Sequence, residues 1–206
     1  MARKLSISSL ILFILIGGDV LFGGLLTKID YKIFPMILEY HIPILDKIML
    51  IITILGNIAS MVIFTTIITL ILLFRREYLL VKFFLASMLG SSALMSGLKE
   101  IIGRDRPQNY IGDIFQQGNS FPSGHASSSM ALSLGLFFII YSKLDNNRIW
   151  QRNLIFIILS LFTISIATSR VYFGVHYLSD VIGGATLSIF WVSLMVSLFQ
   201  IDRVGD

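Results

Sequence analysis

The sequence predicts an all-α, polytopic membrane protein with six transmembrane helices, and three observations lead there. Hydrophobic residues fill 55% of the 206 positions. Charged residues fill only 14%, against about 25% in a soluble domain. The apolar residues also fall into six runs near the roughly 20 residues that a spanning helix needs. These runs are 5–26, 48–74, 79–98, 125–141, 154–173 and 177–199.

Composition removes several classes. There are no cysteines, so a disulfide framework and a thiolate metal site are both excluded. The net charge is +4, and its basic residues flank the apolar runs without forming a stripe, so no nucleic-acid partner is expected. The first run is long enough to span, and no small-residue cleavage site clearly follows it. One membrane-embedded domain over residues 1–206 is expected, with no internal repeat.

The first run carries Asp19, flanked by Gly17, Gly18, Gly23 and Gly24. An intramembrane carboxylate is a functional candidate by default, and a packing or interfacial role competes with that reading. The connection 27–47 has two prolines and mixed charge, with room for a short interfacial helix. Its His41 has no partner spacing and reads as surface. The second run carries Asn57, read as an interhelical hydrogen-bond former. The third run leads into a polar connection, 99–124. The fourth run is the weakest, because its first turns hold Ser127, Ser128 and Ser129. In the sixth, Gly183 and Gly184 suit close helix packing.

Orientation follows from the basic residues of short loops. One side collects eight: Arg3, Lys4, Arg75, Arg76, Lys143, Arg148, Arg152 and Arg203. The other has three, Lys28, Lys32 and Lys47, once Lys99, Arg104, Arg106 and Arg170 are set apart as parts of a site. The first side is expected to be cytoplasmic, with both termini inside. Three polar segments then converge on the extracytoplasmic face: 99–107 (KEIIGRDRP), 122–125 (PSGH) and 169–180 (SRVYFGVHYLSD).

Their residue types suit phosphate chemistry. His176 and Asp180 stand four apart at the start of the sixth run, so they share one helical face. The carboxylate can then fix the imidazole tautomer and leave the other nitrogen free as a nucleophile or base. The planar fork of Arg170 suits two phosphoryl oxygens at once. Ser123 reads as an N-cap, and Gly124 lets backbone come close to a ligand. Together they open a helix whose free N–H groups seat an anion. His125 beside that seat can protonate a departing oxygen. Lys99 and Arg106 complete three cations around one phosphoryl group, and no carboxylate cluster suggests a metal. Glu100 and Asp105 would repel substrate and are expected to face away. Taken singly, each residue has a plain reading as a cap, a snorkelling cation or a core histidine. Their joint convergence on one face does not.

These residues resemble the signature of the type 2 phosphatidic acid phosphatases, or lipid phosphate phosphatases. That signature is Lys, six residues, Arg-Pro; then Pro-Ser-Gly-His; then Ser-Arg, five residues, His, three residues, Asp. Lys99, Arg106 and Pro107, residues 122–125, and Ser169, Arg170, His176 and Asp180 match all eleven fixed positions in order. The resemblance implies a metal-independent, cofactor-free enzyme. In it, His176 forms a phosphohistidine, Asp180 orients it, and His125 protonates the leaving lipid oxygen. Lys99, Arg106, Ser123, Gly124 and Arg170 hold the phosphate, and Ser169 supports the Arg170 turn. The implied partners are the bilayer and a lipid phosphate whose tail arrives between helices; no obligate protein partner is implied. Short length and compact loops suit a bacterial member in the cell membrane. Undecaprenyl pyrophosphate and phosphatidylglycerophosphate lead as substrates, with phosphatidate and lipid A phosphates behind. The competing class is a protein that binds or translocates a lipid phosphate without turnover.

Overall fold

The computed structural model describes residues 2–108, 116–144 and 147–201. Arg203, one of the eight charges used for orientation, lies outside them. Eight helices occur among the described residues: α1 Ala2–Phe22, α2 Leu25–Leu38, α3 Pro43–Leu55, α4 Ile58–Phe74, α5 Tyr78–Ile102, α6 Gly124–Tyr141, α7 Ile149–Tyr172 and α8 Leu178–Phe199. Five are long and apolar enough to cross a membrane, and α3 with α4, bent by 51° at their break, meets the same test as a pair.

Two of the expected spans are therefore interrupted. The first stops at Phe22, where Gly23 takes φ +62°, a conformation open to glycine at little cost. Asp19 turns back to cap α2, accepting from the N–H groups of Leu26 (3.0 Å) and Thr27 (2.9 Å) and from the Thr27 hydroxyl (3.1 Å). A Cβ on Gly24 would stand 2.2 Å from that carboxylate. Asp19 is thus a helix cap. The span at 48–74 breaks at Gly56 and Asn57. Asn57 accepts the Ser60 N–H at 2.8 Å, so it caps α4, and among the described residues its side chain makes no interhelical bond, contrary to expectation. The connection 27–47 does hold a helix, α2, which carries Pro35 within it.

α8 occupies the middle, against α1, α5 and α6. Small residues let the helices close on it. The hydroxyls of Ser91 and Ser127 lie 2.7 and 2.8 Å from that of Ser188, and Ser133 meets Thr163 at 2.9 Å. The serines that weakened the fourth run are thus seam residues, since hydroxyls pair across helices where no water reaches them. Outward faces carry exposed apolar side chains such as Leu15, Ile63, Ile157 and Leu161, as a lipid-facing surface requires.

Lys143 is paired with Glu77, which joins the α4–α5 turn to the α6–α7 turn. Ala2, Leu72 and Ile201 share the cluster at that end. The described basic residues of the more positive side therefore gather at one end of the bundle. The three polar segments gather at the other.

Candidate active site

α5 ends in a left-handed Gly103 (φ +63°), a common helix terminator. The chain then turns across the end of the bundle through Arg104 and Arg106. A strap at 116–121 holds the two first-motif cations by its backbone. Asn119 accepts from Lys99 Nζ at 2.9 Å and donates to the Lys99 carbonyl at 3.0 Å. The Gly118 carbonyl accepts from Arg106 Nε at 2.9 Å. Phe121, fully buried, anchors the strap by stacking on Phe13 at 5.9 Å.

The second motif rests on α8. Gly183 leaves room for the Phe121 ring, which would lie 2.4 Å from a Cβ there, and a Cβ on Gly184 would lie 2.4 Å from the Ser123 carbonyl. The Ser123 N–H donates to the Asp180 carbonyl at 3.0 Å, tying motif two to motif three. Ser123 occupies the N-cap position of α6, but its side chain makes no capping bond. The expected N-cap residue is thus in place, without a side-chain bond to the first turn. Among the described residues its buried hydroxyl has no hydrogen-bond partner.

The third motif closes the site. Ser169 is fully buried and bonds to the Ile166 carbonyl at 2.7 Å, within its own helix. Arg170 is 1% exposed; one arm donates to the Thr53 hydroxyl. Its Nε and Nη2 have no partner among the described residues. Buried donors are normally satisfied, and the oxygens of a phosphoryl group would satisfy these two atoms together with the Ser123 hydroxyl. After Gly174 (φ +67°) the chain delivers His176. Its Nδ1 lies 3.4 Å from Asp180 Oδ2, and its Nε2 lies 3.2 Å from Arg106 Nη1. A guanidinium only donates, so Nε2 carries the lone pair and Nδ1 the proton. Arg106 also donates to the Val175 carbonyl at 2.9 Å, which fixes the peptide before the imidazole. His125 stands beside Gly56, where a Cβ would meet its ring at 2.9 Å, and interacts electrostatically with Arg170, His176, Arg106 and Lys99.

Burial pushes His176 down to about 4, with Asp180 opposing and Arg106 and Arg170 adding to the drop. The imidazole is therefore neutral at neutral pH, as a nitrogen nucleophile must be.

All eight residues expected at the site thus lie at one end of the bundle. Glu100 and Asp105 are exposed. His41 departs from its expectation as a surface residue. It is half-buried, 2.9 Å from Asp46, with its ring 4.3 Å from that of Tyr172. Asp30 was missed, and Arg104 was grouped with the site cations without a role. Arg104 Nη1 donates to Asp180 Oδ1 at 2.6 Å, and its Nη2 to Asp30 Oδ2 at 2.9 Å. The sequence offered a faint signal for Arg104, two residues before a motif arginine, and none for Asp30.

The PAP2 superfamily profile matches residues 80–203. Phosphatidylglycerophosphatase B of Bacillus subtilis (strain 168) is 30% identical over 92 residues, which is 45% of this chain and 44% of that protein. The chain thus aligns with less than half the length of this relative. Among solved structures, a transmembrane PAP2 type phosphatidylglycerolphosphate phosphatase from Bacillus subtilis superposes with a TM-score of 0.84 at 24% identity, over 95% of this chain and 96% of that one. LpxE of Aquifex aeolicus superposes at 0.63 and 23% identity, over 81% and 94%. Both share the fold.

Proposed function

The chain belongs to the PAP2 superfamily, and from that premise we propose that it hydrolyses the phosphate or pyrophosphate head group of a membrane lipid, without a metal ion, through a phosphohistidine on His176. One observation carries the reading. A buried imidazole has its proton turned to Asp180 and its lone pair turned to Arg106, beside three buried donors that lack acceptors.

The steps follow from those positions. Lys99, Arg106 and Arg170 bind the phosphoryl oxygens, with Ser123 and the backbone of Gly124 at the α6 N-terminus. His176 Nε2 attacks phosphorus while the lipid P–O bond breaks. Asp180 stabilises the imidazolium that forms. His125 gives a proton to the leaving oxygen, then takes one from the water that cleaves the P–N bond. Three cations supply the transition-state charge stabilisation that a metal would otherwise give.

The cluster of Arg3, Lys4, Arg75, Arg76, Lys143, Arg148 and Arg152 at one end of the bundle supports a cytoplasmic position for that end. The site then faces the periplasm or exterior of a bacterial cell membrane. The similarity to phosphatidylglycerophosphatase B favours phosphatidylglycerophosphate, with undecaprenyl pyrophosphate beside it, because the chemistry at phosphorus is the same for both.

Phosphate release from a panel of lipid phosphates in detergent tests the proposal. Release should persist in EDTA, stop with vanadate, and fall by about 10³-fold or more in His176→Ala. A protein that binds every lipid of the panel and releases phosphate from none is a binding or translocating protein.

A further inference from the structure

We propose that Asp30 and Arg104 are positioning residues of this site: Arg104 holds Asp180 with one arm and Asp30 with the other, and this sharing sets how much of the Asp180 carboxylate is available to His176. The inference rests on the hydrolytic reading above.

The three charges are buried together. Arg104 is 9% exposed, Asp30 4% and Asp180 0%. Asp180 spends its oxygens unequally. Oδ1 receives Arg104 Nη1 at 2.6 Å and Oδ2 receives the Tyr177 N–H at 2.9 Å, whereas His176 Nδ1 stays at 3.4 Å. The carboxylate therefore leans towards Arg104. Asp30 competes for the same guanidinium at 2.9 Å and weakens that pull. Ser179 braces the competitor: its N–H donates to Asp30 Oδ1 at 3.1 Å, its hydroxyl donates to Asp30 Oδ2, and Arg104 Nη1 reaches its oxygen at 2.7 Å.

The network sits behind the phosphate cup. The Arg104 guanidinium lies over the Tyr177 ring, 4.2 Å from its centre. That ring is flanked by Tyr31 at 5.4 Å and Phe34 at 5.6 Å, both from α2. Buried ion groups contribute little stability over apolar residues of the same volume, so stability alone does not account for this one. Asp30 belongs to α2, outside the 80–203 matched by the family profile. A helix that carries none of the motifs thus supplies half of the orienting network.

The consequence is a pair of opposite effects on His176. The charges that face this ring are Asp180 from α8, Arg106 from the loop after α5, and Arg170 from α7, with His125 of α6 across the site. Arg104 and Asp30 act from behind Asp180. Arg104→Gln removes a cation and frees the carboxylate, so His176 protonates more readily. Asp30→Asn removes an anion and leaves Arg104 wholly on Asp180, so His176 protonates less readily. Charge alone gives the two shifts their opposite signs, and the loss of kcat at little-changed KM separates positioning from a bystander charge.

The chain has three histidines, so ¹⁵N-histidine NMR of the full protein in micelles resolves each ring, with His41→Gln and His125→Gln for assignment. The His176 midpoint should rise in R104Q and fall in D30N, by roughly half a pH unit or more each. R104K, which keeps the charge, should return it towards wild type. kcat should drop about tenfold or more in D30N and R104Q with KM little changed. Midpoints that move together, or that stay put in folded variants, overturn the proposal. If R104Q does not fold, an unmoved midpoint in D30N overturns it alone. A wild-type protein that releases no phosphate from any lipid defeats the hydrolytic reading, while the NMR titration still decides the positioning role.

Discussion

His176 owes its usefulness to two opposed pressures. Burial drives it down to about 4, while Asp180 works to keep it basic. The sign of the pH effect follows. The unfolded chain takes up this proton near pH 6.5, and the folded site resists until about pH 4. The unfolded state therefore binds more protons between those values, and stability rises with pH across that window and is flat in this group above it. A melting series from pH 4 to 8 should show that rise, and His176→Gln should make it shallower by the share that this ring contributes. Asp180→Asn leaves Nδ1 facing an amide in place of a carboxylate. Activity should fall about 10²- to 10⁴-fold, with the protein still folded by circular dichroism. His125→Ala should slow poor leaving groups far more than good ones such as a nitrophenyl phosphate; equal losses would remove it from the proton-transfer role. The residue types of the site were legible because their chemistry needs fixed spacings, as the four-residue step from His176 to Asp180 shows. The pairing of Arg104 with Asp30 was not, because 74 residues separate two partners that only tertiary packing joins.

Helices place these groups through glycine contacts that leave little slack. A methyl on Gly184 would lie 2.4 Å from the Ser123 carbonyl, which is backbone and cannot swing aside. Gly184→Ala should therefore push the second motif away from Asp180, at about 1–3 kcal/mol of stability and with a larger loss of kcat than of melting temperature would suggest. Measured turnover that stays at wild type would show the contact to be slack. Gly56 serves the same end by letting the α3–α4 break sit against His125 and Ile166. The helix breaks were the least legible part of the fold. At 23–24 and 56–57 the signals are a glycine and a capping side chain inside apolar runs. Asp19 and Asn57 look like misplaced polar residues until their caps are seen. The span at 125–141, by contrast, was read with the right limits to within one residue despite its serines.

At the scale of the whole molecule, the separation of charge between the two ends and the position of the site form one arrangement. The chain has no cysteine, so single cysteines report sidedness cleanly. In whole cells a membrane-impermeant maleimide should label a cysteine at Gln108, which is exposed at the site end, and spare one at Arg75. The reverse pattern would turn the site towards the cytoplasm. The most direct test of the chemistry is to trap the intermediate. Rapid quenching with ³²P-labelled lipid phosphate should leave an alkali-stable, acid-labile label on the peptide carrying His176. His176→Ala should lack that label, and His125→Ala should accumulate it from a ³²P-labelled nitrophenyl phosphate, whose leaving group needs no proton. Turnover with no labelled protein, or with the label on another residue, would contradict attack by His176.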